Sequence, residues 1–216
     1  MPGENLTRRE ALTLSGHITV KSYAIDIDVR DALTSPTFRT ITKITFVSEG
    51  EKETFIDAIA SAVHSITLNG ESLNPEDVFA DSRISLTNLL ANNTLIVEAD
   101  FAYMNTGEGL HRFVDPVDNE VYLYSQFEVP DSRRVFAVFE QPDLKATFQF
   151  TVHAPGHWRV ISNQAAESSK AGEGGATWFF SPTPRISSYI TAVIAGPYEQ
   201  VSDELVSSSG KTIPLG

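Results

Sequence analysis

The feature that most constrains the fold of this chain is the alternation of apolar and polar residues along several short stretches. A period of two places every second side chain on the same face of an extended strand. The clearest series runs through residues 23–29, where Asp26 and Asp28 separate apolar residues. The pattern recurs at residues 40–46, 95–101, 146–152 and 189–195. These stretches predict strands with one buried face.

Turn signals between these stretches favour antiparallel sheets. The Asn69-Gly70 pair lies between apolar stretches and is a strong hairpin signal. The Gly- and Ser-rich residues 168–176 predict a flexible loop between strands that end near Ser162 and begin near Thr177. Turn signals at intervals of roughly 8 to 12 residues are typical of a sandwich of antiparallel sheets.

One short helix is predicted near the amino terminus. Residues 5–14 fit a helix in which Thr7 is the N-cap and Glu10 stands three positions later, which is the spacing of a capping box. Residues 84–90 fit either a short helical turn or a strand. Residues 201–216 fit a strand, a turn and the start of a further strand.

Composition excludes several classes of function. The 16 basic residues against 28 acidic residues give a formal net charge of −12, and a surface of that sign repels nucleic acid and anionic lipid. The chain has no cysteine, which excludes disulfides, thiolate metal sites and cysteine nucleophiles. No apolar run resembles a signal peptide or a bilayer-spanning segment. Without an internal repeat or a linker, we expect residues 1–216 to form a single cytoplasmic β-domain with neither nucleic-acid nor membrane partners.

No recognisable catalytic or metal-binding motif is present. His153 and His157 have the spacing of a zinc-binding helix, but Pro155 and Gly156 lie between them and would break that helix. The other histidines have no Ser or Asp partner in a known motif, and there is no Gly-x-Ser-x-Gly elbow. We therefore expect neither metal ligands nor catalytic residues in this chain.

Residues 120–150 contain an unusual strand face. Alternation predicts a strand that Pro130 ends, because proline cannot donate a hydrogen bond to a neighbouring strand. One face carries Val121, Leu123 and Phe127, and the other carries Tyr122, Tyr124, Gln126 and Glu128. The second face is a polar, aromatic wall. Glu128 is then either solvated or paired with Arg133 or Arg134, or it is an acceptor for a positively charged ligand.

A series of motifs, taken in order, resembles the aminopeptidase N family of zinc exopeptidases (gluzincins). That family has a run close to Gly-Leu-Tyr-Arg-Ser, then Thr-Gln-Phe-Glu-Pro-Thr-Asp-Ala-Arg-Arg, Phe-Pro-Cys-Phe-Asp-Glu-Pro and Lys-Ala-Thr-Phe. This chain has GLHRF at 109–113, SQFEVPDSRR at 125–134, FAVFEQP at 136–142 and KATF at 145–148. Further matches are FID at 55–57, LNG at 68–70, WRVISN at 158–163 and TPRISSYITAVIAGPYE at 183–199.

The resemblance implies a saddle-like β-sandwich that packs against a thermolysin-like catalytic domain. The Gly-x-Met-Glu-Asn strand and the zinc-binding His-Glu-x-x-His helix of that domain are not in this sequence. The implied chain is therefore a non-catalytic amino-terminal domain of a metallo-aminopeptidase, without a cofactor of its own, whereas the full-length enzyme holds zinc. Its implied partners are the amino terminus of a peptide substrate and its own missing catalytic domain.

The resemblance also assigns roles to two residues. Glu128 matches the family's glutamate that binds the free α-amino group of the substrate, and Gln126 matches a position that lines the pocket for the first side chain. In the family, a zinc-bound water and a glutamate of the other domain break the bond.

Two departures from the family pattern lie close to Glu128. FAVFEQP changes both acids of the family motif, and Val129 and Pro130 reverse the usual order. The main alternative is a free-standing β-sandwich that binds a peptide or a carbohydrate on its Tyr122 and Tyr124 face. A two-carboxylate glycosidase has no support in the sequence.

Overall fold

The computed structural model describes residues 5–172 and 174–215, which are mostly strands. The helices are α1 (Arg8–His17) and the one-turn α2 (Pro75–Val78), and two 3₁₀ turns lie at Ser132–Arg134 and Ser188–Ile190. The strands in chain order are β1 (Ile18–Asp28), β2 (Thr37–Ser48), β3 (Thr54–Asp57), β4 (Ala62–Leu68), β5 (Glu71–Leu73), β6 (Phe79–Ala80), β7 (Arg83–Leu86), β8 (Asn92–Ala102), β9 (Gly109–Val114), β10 (Val121–Gln126), β11 (Thr147–Ala154), β12 (Arg159–Ser162), β13 (Ala166–Gly172), β14 (Gly175–Phe180), β15 (Val193–Gly196), β16 (Asp203–Val206) and β17 (Thr212–Leu215).

These strands form four sheets, and the predicted all-β sandwich is confirmed. The large sheet has the order β13-β14-β11-β1-β2-β8-β4-β5, and the small sheet has the order β12-β15-β10-β9. A three-stranded sheet has the order β3-β7-β6, and β16 pairs with β17. Among the strands described, β1 and β11 pair in parallel, whereas the other pairs are antiparallel. Alternation reports which face is buried and not the direction of the neighbour, so the sequence could not reveal this pair.

One hydrophobic core joins the large, small and three-stranded sheets. Phe136 is fully buried near its centre. Its ring lies 6.3 Å from that of Tyr23 in β1 and 6.2 Å from that of Phe150 in β11. It also meets Phe127, the residue after β10, edge to face at 5.9 Å. Packing against the large sheet therefore fixes the point where β10 ends.

Helix α1 begins as the capping box predicts but extends further. Thr7 Oγ1 accepts the amide hydrogen of Glu10, and the amide of Thr7 donates to Glu10 Oε2. The helix spans Arg8–His17 rather than residues 5–14. Arg83 ties α1 to the three-stranded sheet, because its Nη1 donates to Glu10 Oε1 (2.6 Å) and its Nε donates to Asp57 Oδ1 (3.2 Å). The single predicted helix is accompanied by α2, which Asn74 caps and Pro75 begins.

The prediction of a flexible loop at residues 168–176 is wrong. Strand β13 covers Ala166–Gly172 and pairs with β14 as an edge hairpin of the large sheet. Every residue of β13 is exposed, so neither face alternates and the period-two signal is missing. Gly175 is required in this hairpin, because a Cβ there would lie 2.2 Å from the carbonyl oxygen of Ala154.

Three further local predictions have different outcomes. Asn69 and Gly70 both have positive φ and connect β4 to β5, as the hairpin signal predicts. The undecided residues 84–90 lie partly in strand β7. The strand predicted over residues 189–195 is shorter than expected, because β15 begins only at Val193 after the second 3₁₀ turn.

The β16–β17 hairpin differs from the rest of the chain. It has the predicted strand–turn–strand form, but all of its strand residues are exposed. Within the described residues it joins no other sheet. None of the described helices is both long and apolar enough to cross a membrane.

Candidate functional site

Glu128 lies just past the end of β10, in the turn that leads to the first 3₁₀ turn. The strand ends at Gln126, so the prediction that Glu128 belongs to the strand is wrong by two positions. Between them, Phe127 is only 2% exposed and inserts into the core. Burying a phenylalanine side chain contributes about 1.5–3 kcal/mol, which holds this end of the turn. The Glu128 side chain is exposed.

The two arginines that follow do not pair with Glu128. Arg133 Nε donates to the carbonyl oxygen of Pro130 (2.8 Å), and Arg134 Nε donates to Asp131 Oδ1 (2.6 Å). Within residues 5–172 and 174–215, no ion pair involves Glu128. Of the interpretations open from the sequence, pairing with Arg133 or Arg134 is therefore wrong, and the carboxylate is a solvated acceptor.

Gln126 contacts Glu128 directly through the backbone. The amide of Glu128 donates to Gln126 Oε1 at 3.0 Å, so the structure brings the two predicted site residues together. Gly109 stands opposite Gln126 on the neighbouring strand β9. Its φ of +59° and its approach to Arg134, where a Cβ would lie 2.9 Å from Arg134 Cβ, make glycine necessary there.

An aromatic surface continues from Gln126 along β10. Tyr124 is 40% exposed, and its ring stacks on that of His111 in β9 at 4.7 Å. The amide of Gly107 donates to His111 Nδ1 and so orients that ring. Tyr122 packs instead against Tyr198, edge to face at 5.0 Å. The wall that the sequence predicts therefore exists around Tyr124, whereas Tyr122 is partly covered.

Glu140 is a buried carboxylate beneath this turn, and sequence reasoning gave it no part in the site. Ser132 Oγ (2.5 Å) and the amide of Arg133 (2.8 Å) donate to its Oε2, and Ser188 Oγ donates to its Oε1 at 2.9 Å. It is only 4% exposed. Burial raises the pKa of Glu140, although the three hydrogen bonds oppose that effect. Glu140 lies in the altered FAVFEQP motif, of which Phe136–Gln141 are all buried.

The histidines do not form a metal site. His153 Nε2 lies 3.0 Å from Asp26 Oδ1, and its Nδ1 lies 2.9 Å from Thr177 Oγ1. His157 Nε2 lies 3.5 Å from Glu120. In the part of the chain that the structure describes, no three metal-ligating side chains come together. These residues therefore do not fit a zinc ion.

The Gln126–Glu128 turn lies on an open surface. A cavity of about 380 Å³ lies between α1 and the β3–β7 pair, and one of about 680 Å³ lies between β12 and the β16–β17 hairpin. Neither is lined by Gln126 or Glu128. A ligand that binds at Glu128 therefore needs a second wall if it is to be enclosed.

The fold and this surface define a β-sandwich domain with an exposed carboxylate just past the end of β10, and comparison with known proteins identifies its family. Residues 19–190 match the Peptidase M1 N-terminal domain. The chain belongs to this family.

Curated relatives agree with that assignment. The chain is 56% identical over 218 aligned residues to "Aminopeptidase N" of Streptomyces lividans, which covers all of this chain and 25% of that relative. It is 31% identical over 118 residues to "Aminopeptidase N" of Acetobacter pasteurianus, with 52% of this chain and 33% of the relative covered. "Aminopeptidase M1-A" of Oryza sativa is 25% identical over 207 residues, 93% of this chain and 23% of the relative. The chain thus spans about a quarter of the length of the Streptomyces and Oryza relatives, and the aligned half of the chain covers a third of the Acetobacter relative.

Proposed function

We propose that this chain is the substrate-anchoring domain of a zinc aminopeptidase that removes residues from the amino terminus of peptides. Glu128 binds the free α-amino group, and Gln126 lines the site for the first side chain. The observation that carries this proposal is a solvated carboxylate without an ion pair among the described residues, two positions past the end of β10 and hydrogen-bonded through its own amide to Gln126.

The chemistry of an ammonium group fits this carboxylate. An ammonium donates charge-assisted hydrogen bonds to carboxylate oxygens. An acetylated amino terminus is an uncharged amide, so binding it would leave the carboxylate without its charged partner. The domain would in this way select peptides with a free amino terminus.

The free energy of an ion pair depends on its exposure, and this determines how tightly the domain binds substrate by itself. An exposed ion pair contributes about 0–1 kcal/mol, because water screens it. The same pair enclosed at an interface contributes enough that removing one partner costs about 2–5 kcal/mol. Since Glu128 is exposed, we expect weak binding by the isolated chain and strong anchoring once another domain of the peptidase covers the site.

The cleavage step belongs to other residues. The described part of this chain holds no metal-ligand cluster, so we assign it binding and orientation alone. The relative from Streptomyces lividans is about four times as long, and we propose that the zinc site lies in the corresponding remainder of the full-length peptidase. We expect the 216-residue chain to show no zinc-dependent turnover of an aminoacyl chromogenic substrate.

The main test is Glu128→Ala in the full-length peptidase. We expect kcat/KM to fall by about 2–5 kcal/mol of transition-state binding, which is roughly 30-fold to several thousand-fold. Glu71→Ala is the matched control, because Glu71 is also exposed but lies in β5, at the far edge of the large sheet. Unchanged kcat/KM for Glu128→Ala, or an equal loss in the control, would remove the role of Glu128.

A further inference from the structure

Both ends of the turn that carries Glu128 are held by side-chain contacts. At one end, Phe127 enters the core and Gln126 accepts the amide of Glu128. At the other end, Ser132 and Arg133 begin the first 3₁₀ turn, and both donate to the same oxygen of Glu140. The turn is therefore held by Glu140, which follows it in the chain, as well as by Gln126 and Phe127 at the end of β10.

The second oxygen of Glu140 connects this turn to a neighbouring strand. Ser188 Oγ donates to Oε1 at 2.9 Å and belongs to the second 3₁₀ turn, which leads into β15. Strand β15 in turn pairs with β10, with Leu123 opposite Ala195. The contacts thus form a closed ring. They run from β10 through the Glu128 turn to Glu140, then through Ser188 to β15, which pairs with β10.

We propose that Glu140 is a positioning residue for Glu128. Its carboxylate holds Ser132, Arg133 and Ser188 together, and this keeps the Glu128 turn at a fixed place relative to β10 and β15. The proposal rests on the proposed function, because a fixed anchor matters only if Glu128 binds the substrate. Hydrogen bonds to a buried charged group are stronger than neutral ones, which suits a carboxylate at this junction.

The chain supplies matched variants. Ser132→Ala removes one donor to Glu140 and leaves the carboxylate in place. Ser187→Ala is its control, because Ser187 is also buried (6% exposed) but donates to the carbonyl oxygen of Pro142. Glu140→Ala removes the acceptor. Glu140→Gln should rescue most of the geometry, because an amide oxygen can accept from Ser132 and Arg133 while its NH₂ donates to the Ser188 hydroxyl.

A double-mutant cycle in the full-length peptidase separates positioning from general stability. We expect Ser132→Ala to lower kcat/KM roughly three- to tenfold when Glu128 is present, and less than about twofold in a Glu128→Ala background. Ser187→Ala should have the same small effect in both backgrounds. If Ser132→Ala lowers kcat/KM by one and the same factor in both backgrounds, or has no effect in either, Glu140 does not act through Glu128.

A second measurement keeps the inference testable if the proposed function fails. Amide ¹⁵N relaxation of the 216-residue chain should give an order parameter of about 0.85 at Glu128. In Ser132→Ala or Glu140→Ala the order parameter at Glu128 should fall below about 0.6. Glu140→Gln and Ser187→Ala should retain the rigid value.

If the full-length protein shows no dependence on Glu128 but the turn still loosens, the function is wrong and the placement of the turn by Glu140 stands. An unchanged order parameter in both Ser132→Ala and Glu140→Ala overturns the inference. Should Glu140→Ala fail to fold, Ser132→Ala decides alone.

Discussion

Two glutamates at opposite ends of one segment have opposite environments. Glu128 is exposed and, among the described residues, forms no ion pair. Glu140 is 4% exposed and accepts hydrogen bonds from three donors. The same chemical group is therefore available to a ligand at one position and fully committed to the fold at the other.

The difference shows how the environment decides the role of a carboxylate. A buried acid is tolerated only when neighbouring donors satisfy it, and removing it leaves those donors without acceptors. An exposed acid contributes little to folding, and its carboxylate stays available to a ligand. Glu128 fits the second case and Glu140 the first.

The largest effect on stability should come from Glu140→Ala. Two buried hydroxyls and one buried amide lose their acceptor, so we expect the free energy of unfolding to fall by about 2–4 kcal/mol. Urea unfolding of the 216-residue chain measures this. A loss below about 0.5 kcal/mol would show that Glu140 is not committed to the fold, and the contrast with Glu128 would disappear.

The pH dependence of Glu140 has a definite sign. Its pKa is raised by burial above the usual 4.5, so the folded state holds the proton more tightly than the unfolded state. Its contribution to stability is then complete below the unfolded pKa and is lost as the pH rises through the folded pKa. Glutamine does not titrate, so the stability of wild type relative to Glu140→Gln should decrease as the pH rises above the ordinary glutamate pKa of 4.5.

The same comparison contains its own control. The pKa of Asp57 is also raised by burial, but Asp57 is present in both proteins, so its titration enters the difference only through its coupling to residue 140. A wild-type advantage that stays constant or grows with pH in urea unfolding would contradict the raised pKa.

The smallest effect should come from Glu128→Ala. The side chain is exposed, and surface substitutions away from buried networks change stability by less than about 0.5 kcal/mol. The variant should unfold at the same urea concentration as wild type, although we expect it to lower kcat/KM of the full-length peptidase. A loss above about 1 kcal/mol would mean that Glu128 has a structural partner, and its activity data would need another explanation.

The sequence predicts the parts of the fold that one buried face determines. Residues 23–28 of the first predicted stretch lie in β1, and residues 95–101 lie in β8, since a half-buried strand must alternate. The capping box at Thr7 and the hairpin at Asn69-Gly70 are also confirmed, because each depends on adjacent residues alone. Strand β13 escapes such reasoning, since both of its faces are exposed.

The candidate site is only partly readable from the sequence. Alternation and the family motif single out Gln126 and Glu128, and the structure brings them into contact. Alternation continues past β10 only because Phe127 is buried, so it could not show that the strand ends at Gln126. The contacts of Glu140 reach residues 7, 8 and 48 positions away, and a single sequence has no signal for such hydrogen bonds. Cytoplasmic location stays a prediction.

The most direct test of the account is the preference of the full-length peptidase for a free amine. Inhibition constants should be measured for an amino-acid amide and for its N-acetylated form, with wild type and Glu128→Gln. We predict that wild type binds the free amine more tightly and that Glu128→Gln loses at least about tenfold of this preference, because the charged partner is gone. An unchanged preference in Glu128→Gln would contradict the claim that Glu128 recognises the α-amino group.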